Sequence, residues 1–350
     1  MMKWPKLTNG WHTAWHHMSK PILRIGTRGS ALAMWQAQHV ERQLRLQHPD
    51  LDTVIVPIST VGDTDKTTPL STLGGKGVFV RGLEEALTEN IIDIAVHSLK
   101  DVTSQSMDGL AFFAFLTPES VQDALVTKTD FSLGEAEREI IESVKGLRPF
   151  DPEKNALDPN TVTEALAKLP YGCRVGTGSL RRIALLRKLR PDIQAIPIRG
   201  NIETRMSKVC SGELSAILLS EAGLLRMGVL PGLTHHPLSP ESFVPAPGQG
   251  VIVIQGRTQD LLIQKQVQQI SDPAQTLISQ THLALLQHLG FDCQDPFGIW
   301  SYPTKQGLSH QVFLENSSQE GRYYHFETSA PATSQELATW VATHLPRPYA

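Results

Sequence analysis

A strand–turn–helix–strand unit that occurs twice constrains this chain more than any other property of it. Residues 22 to 58 read ILRIGTRGS, ALAMWQAQHVERQLRLQH and PDLDTVIVPI. Gly26, without a Cβ, suits a sharp turn at the end of the first strand, and Ser30 is a good N-cap for the helix that follows. Ala33, Ala37, Val40 and Leu44 recur at spacings of four and three, which puts them on one helical face, and Pro49 stops the helix. Residues 173 to 198 repeat the scheme as CRVGTGS, LRRIALLRKLR and PDIQAIPI, so that Arg174, Val175, Gly176 and Thr177 answer Arg24, Ile25, Gly26 and Thr27. The likeness extends to a later pair of segments, ENIIDIAVHS (89 to 98) and GELSAILLSE (212 to 221).

Two β-α-β units imply an α/β fold with two parallel-sheet domains, each offering free amides and a helix dipole to an anion at its strand-to-helix turn. At 350 residues the chain exceeds the usual single-domain size. The segment FVPAPGQGVIVIQGR (243 to 257) combines crossover residues, Pro245, Pro247, Gly248 and Gly250, with a strand able to rejoin the first sheet. The expected division is therefore a discontinuous first domain (21–118 and 246–268), a second domain (119–245) with a charged, proline-bearing insertion near 130–170, and a smaller α+β domain (272–350). That last domain would hold a helix over TLISQTHLALLQHLG, alternating strands at HQVFLE and RYYHFET, and a final helix near Ser334 to His344. Residues 1–20 read as a disordered extension, with Met18 a second candidate start.

Basic residues recur where strands end and helices begin: Arg28, Lys76, Lys100, Arg181, Arg182, Arg199, Arg205 and Arg226. In doubly wound domains such positions face the cleft at the carboxyl ends of strands. Arginine grips carboxylates bidentately, so the set implies a multiply anionic ligand. STLGGKGVFVRGLEEAL (71 to 87) lacks the GxxxxGK[ST] spacing of a phosphate loop and reads as a glycine-hinged lid carrying Lys76, or as an ordinary tight turn. IIDIAVHSLKDV (91 to 102) runs a buried-type strand into His97, Ser98, Lys100 and Asp101, where a carboxylate beside a lysine can do acid–base work or hold a developing cation. A solvated charge pair is the alternative for that site.

Other classes are argued against. A net charge of −3 gives no field that would attract nucleic acid. The apolar runs fall far short of the roughly 20 residues needed to cross a bilayer. The N-terminus lacks the apolar core of a secretory signal, so a cytoplasmic location is expected. Three cysteines, Cys173, Cys210 and Cys293, include no CxxC pair, and the thirteen histidines do not cluster with acidic residues, so no metal site is expected.

RIGTRGSALAMWQA, GGKGVFVRGLE, DIAVHSLKDV, GTGSLRR, IRGNIETR, AGLLRMG and PAPGQG resemble, in this order, the motifs of the porphobilinogen deaminase (hydroxymethylbilane synthase) family, from about Ile22 through Cys293 and more weakly beyond. The resemblance implies three domains, two of them similar to periplasmic binding proteins. It implies a dipyrromethane cofactor, made from the substrate and joined by a thioether to Cys293. It also implies a monomeric enzyme that adds four porphobilinogen units to this primer, each losing ammonia to give an electrophilic azafulvene, before water releases the linear tetrapyrrole. By the same resemblance Asp101 is the catalytic carboxylate. Lys100, Arg181, Arg182, Ser179, Thr177 and Ser98 would then contact the cofactor, while Arg28, Ser30, Lys76, Arg199, Arg205 and Arg226 would bind substrate carboxylates.

Two departures stand beside the cofactor position. The family's Gly-Gly before the cysteine is Phe291-Asp292 here, and the Glu-Arg pair usual in the preceding helix is His282-Leu283. Phe291 and Asp292 are expected to bring bulk and negative charge toward an anionic cofactor, and Leu283 lacks a charge, so altered turnover is expected. A relative that binds the polycarboxylate without turning it over is the alternative reading.

Overall fold

The computed structural model of the protein describes residues 22–59, 80–103, 106–129, 164–292, 295–316 and 318–329. The elements in chain order are β1 (Leu23–Arg28), α1 (Ala31–Gln47), β2 (Thr53–Ile58), α2 (Arg81–Thr88), β3 (Ile94–Ser98) with a 3-10 turn at Leu99–Asp101, β4 (Leu110–Phe115) and β5 (Asp123–Lys128). They continue as α3 (Glu164–Ala167), β6 (Arg174–Gly176), α4 (Leu180–Leu189), β7 (Gln194–Ile196), α5 (Ile202–Cys210), β8 (Ala216–Ser220), α6 (Glu221–Met227) and β9 (Leu233–Pro237). Last come β10 (Ile252–Arg257), α7 (Leu261–Gln268), α8 (Pro273–Leu289), β11 (Phe297–Pro303), β12 (Gly307–Glu315) and β13 (Gly321–Ser329). The extension before residue 22, Lys76 with its glycine-rich segment, most of the charged insertion, Cys293 and the last expected helix lie outside the described residues.

The duplication is visible in the sheets. One has the order β2-β1-β3-β10-β4 and the other β7-β6-β8-β5-β9, so each strand of the first has a counterpart in the second. The repeated glycines have the same task, since a Cβ on Gly26 would fall 2.2 Å from Ile92 Cδ1 and one on Gly176 2.6 Å from Leu214 Cδ1. Of the expected helical stripe, Ala37, Val40 and Leu44 are buried with Leu23, Ile25, Ile94 and Ile254 in one core, while Ala33 is half-buried and Gln36 takes the remaining buried position.

The sheets are parallel over three strands only. β10 runs antiparallel to β3 and β4, and β5 antiparallel to β8 and β9. The cause is the exchange of chain between them. After β4 the chain crosses over residues 116–122 to become β5 of the second sheet, and after β9 it returns over residues 238–251 as β10 of the first. Each crossing strand enters its sheet from the far end. The crossovers lie against one another: Gln249 Nε2 donates to Val121 O at 2.9 Å, and Gly250 has φ +84° with its missing Cβ only 2.0 Å from Ser120 O.

β11, β12 and β13 form an antiparallel sheet whose core, with α8, contains Leu285, Phe291, Phe297, Ile299, Val312 and Leu314. Asp272 caps α8 by accepting from Gln275 N–H, and Gly290, at φ 70°, closes it. This third unit docks on the return crossover, where Ile299 N–H donates to Pro245 O at 2.9 Å and Tyr323 OH to Ser242 O at 2.7 Å. Among the described residues no helix is long and apolar enough to cross a membrane.

Candidate functional site

A pocket opens where β1 and β3 end, lined by Arg28, Ser30, Gln36, His97, Ser98 and Asp101 among others. Local rules build it. Ser30 Oγ accepts from Ala33 N–H at 3.4 Å and starts α1, while Thr27 Oγ1 donates to Ala33 O at 3.0 Å and fixes the turn that carries Arg28. Gln36 Nε2 donates to Ser98 Oγ at 2.8 Å, tying the helix to the end of β3. His97 Nε2 stands 3.1 Å from Gln255 Oε1, and Gln255 Nε2 donates to Glu84 Oε1 at 2.8 Å, so the amide is oriented by the carboxylate and the ring must be the donor to it. Burial, with the Arg28 charge in support, pushes the His97 pKa down to about 4. Asp101 is exposed at the end of its 3-10 turn, which Leu99 N–H anchors on Val251 O at 3.0 Å.

The second sheet presents the matching corner. Ser179 Oγ accepts from Arg182 N–H and caps α4, as Ser30 caps α1, and Thr177 Oγ1 accepts from Ser179 N–H at 3.3 Å. Arg181 and Arg182, in the first turn of α4, are 3% and 6% exposed and share Asp123 at the start of β5, each with a contact of 2.7 Å. Burial alone would raise the Asp123 carboxyl, yet the two guanidiniums outweigh it and hold it at about 2. Two buried cations against one buried anion leave the corner positive.

The two corners meet across the cleft. Burial pushes the Lys100 ammonium down to about 8, Asp101 and Asp123 pull it up, and Arg182 and Arg181 push it further down, so Lys100 of the first sheet lies within the field of the second sheet's arginines. In the opposite direction, burial and Arg182 lower the Arg205 guanidinium while the Asp101 charge opposes them, so Arg205 of α5 lies within the field of Asp101. Arg199 is exposed just before α5. Arg226 is not brought into this group. It sits in the last turn of α6, where its Nε contacts Glu119 Oε2 at 2.5 Å, a terminal nitrogen donates to Gly250 O at 2.7 Å, and its guanidinium lies 5.4 Å from the Trp35 ring centroid.

These residues suit a linked pair of pyrroles bearing acetate and propionate groups. Arg181 Nε is buried with no hydrogen-bond partner among the described residues, Lys100 makes no hydrogen bond to them, and Arg205 adds a third cation, which together offer donors for carboxylates. Asp101, exposed, supplies a carboxylate within their field, an acceptor for pyrrole N–H groups. Sequence reasoning passed over Asp123, Gln36 and Gln255. Gln249 was available inside PAPGQG but read only as part of a crossover.

One expected departure changes character in the structure. Phe291 is 4% exposed and packs on Phe297, ring centroids 5.5 Å apart, so its bulk enters the third unit's core and not the cleft. The left-handed Gly290 turns the chain to allow this. Asp292 N–H donates to Asp295 Oδ2 at 2.7 Å, and Asp295 N–H donates to Asp292 O at 3.2 Å.

Several known proteins are similar to this chain. A family model described as porphobilinogen deaminase, dipyromethane cofactor binding domain, matches residues 23–265. A porphobilinogen deaminase of Syntrophobacter fumaroxidans is 33% identical over 94% of this chain and 95% of its own length. One from Legionella pneumophila strain Lens is 37% identical over 92% of this chain and 96% of its own. Among solved structures, the periplasmic VFT2 domain of Bordetella pertussis BvgS covers 75% of this chain and 90% of its own, at 15% identity and a TM-score of 0.39. A family model that spans both cleft-forming sheets, with relatives that align along almost the whole length, places the chain in the porphobilinogen deaminase family.

Proposed function

We propose that this protein is a transferase, the hydroxymethylbilane synthase of tetrapyrrole synthesis, which condenses four porphobilinogen molecules on a dipyrromethane primer held by Cys293 and then releases the linear product with water. When bound, the primer supplies a nucleophilic free pyrrole α-carbon from which the chain grows. Everything else in the reaction falls to the protein's own residues. Arg181, Arg182 and Lys100 would neutralise the primer's acetate and propionate groups, while Arg28, Ser30, Arg199 and Arg205 would do so for the incoming ring. Asp101 would accept hydrogen bonds from pyrrole N–H groups, stabilise the positive charge that develops as ammonia leaves, and relay the proton lost when the new bond's ring regains aromaticity. Gln36, by holding Ser98, keeps the wall of that pocket in register. A cytoplasmic monomer is the setting this reading implies.

The observation that carries the proposal is the pocket lined by Arg28, Ser30, Ser98 and Asp101 where β1 and β3 end, in a chain whose family model spans both sheets. Asp101→Asn is the test. Loss of the charge should lower kcat for porphobilinogen consumption by about a hundredfold or more. Because Asp101 is exposed, the melting temperature should not move. Wild-type turnover in Asp101→Asn would sink the assigned role.

A further inference from the structure

Helix α8 accepts a backbone amide of the return crossover. Gly248 N–H donates to His282 Nδ1 at 3.2 Å. An amide can only donate, so the ring carries its proton on Nε2. That nitrogen is 2.8 Å from Ser301 Oγ and therefore donates to it. At the far end Thr328 Oγ1 donates to Leu308 O at 3.4 Å and so accepts from His310 Nε2 at 3.0 Å, which leaves His310 Nδ1 to accept from Ser301 Oγ at 2.7 Å. The Gly248 amide at one end and the Leu308 carbonyl at the other thus set the direction of the bonds in a buried row running from α8 through β11, β12 and β13. His282 is 5% exposed and His310 0%, so the row is screened from bulk water. Burial, with His310 adding to it, pushes the His282 pKa down to about 3, and burial with His325 holds His310 at about 4, so both rings stay neutral.

The other face of Gly248 touches the catalytic turn. Its φ is +67°, and a Cβ there would lie 2.5 Å from Leu99 Cγ, so the Gly248 backbone rests on the Leu99 side chain. Leu99 begins the 3-10 turn that ends at Asp101. Leu283, next to His282, packs on the same apolar cluster as Leu99, Phe115 and Val251. His282 and Leu283 are the two positions at which this chain departs from the family's Glu-Arg pair, and in this structure one orients an amide while the other fills the cluster beneath it.

We infer that His282 is a positioning residue: through Gly248 it presses Leu99 into place and so fixes Asp101 relative to the domain that carries Cys293. The inference rests on the deaminase reading for its effect on turnover, but not for its geometry. Two substitutions separate the contacts. In His282→Asn the Oδ1 takes the place of Nδ1 and can accept from Gly248, whereas in His282→Gln the longer side chain reaches Ser301 and leaves the amide unpaired.

Amide hydrogen exchange of the holoprotein should show Gly248 and Leu99 exchanging about tenfold faster or more in His282→Gln and within about threefold of wild type in His282→Asn, with Val253 unchanged in both. With porphobilinogen, kcat should fall about tenfold in His282→Gln and recover to within about threefold in His282→Asn, while KM stays within about twofold, because no carboxylate-binding side chain is altered. Equal exchange and equal kcat in the two variants, or a Gly248 amide as protected in His282→Gln as in wild type, would overturn the inference. A wild-type protein without turnover would count against the deaminase reading instead, and the exchange comparison would still decide the role of His282.

Discussion

With no exposed surface of its own, the Asp123 carboxylate accepts from Arg181 at 2.7 Å, from Arg182 at 2.8 Å and from Gln249 at 3.1 Å. It joins the first turn of α4 to the return crossover. Removing its charge would leave two buried guanidiniums facing one another, so Asp123→Asn should cost about 3–5 kcal/mol in urea denaturation. A cost under about 1 kcal/mol would show that water or movement relieves the arginines. Both arginines were legible in the sequence, because a serine cap and a helix start are local features. Asp123 was not, since QDALV carries no motif and the carboxylate lies 58 residues from Arg181 along the chain. Lys100 and Asp101 were expected from another local feature, the end of the buried strand β3. Arg226 shows the limit of that logic: it stands at the C-terminal end of its helix, where the Glu119 carboxylate and the Trp35 ring take it up.

At the scale of elements, the two crossovers hold the sheets in register. Gly250 and Gly228 both have positive φ, +84° and +79°, but a Cβ on Gly228 meets nothing within 4 Å while one on Gly250 would strike Ser120 O at 2.0 Å. Gly228→Ala should therefore cost only the backbone strain of its extended positive-φ conformation (ψ 173°), about 1–3 kcal/mol. Gly250→Ala should cost clearly more, and equal melting temperatures for the two would contradict the close approach of the crossovers. The repeated β-α-β unit could be read from periodicity and glycine placement, since both act within a few residues. That the fourth strand of each sheet, β10 or β5, runs against its neighbours on both sides could not, because it follows from where the chain re-enters a sheet. The row from His282 to Thr328 was hidden for a similar reason. Its members are 19, 9 and 18 residues apart and meet only when three strands and a helix assemble.

For the molecule as a whole, charge and burial predict how stability follows pH. His97, His282 and His310 are held at about 4, about 3 and about 4 in the folded protein. The unfolded chain takes up a proton on each near pH 6.5, so below that value it binds more protons than the fold does. Stability should then fall as pH drops, by about 1.4 kcal/mol per unit for each such histidine, until the folded values are approached. Asp123 acts in the same direction lower down, its contribution being lost between its ordinary 3.8 and about 2. Urea midpoints that stay level from about pH 7.5 to about pH 5 would contradict the neutral buried rings. Two sheets exchanging strands, a positive corner facing Asp101 and a third domain locked on the crossover together describe a protein that grows an anionic chain on a primer of its own. Intact mass tests that claim most directly. The purified wild type should be heavier than its sequence by two linked pyrrole units and Cys293→Ser should not, whereas a wild type at its bare sequence mass would contradict the account.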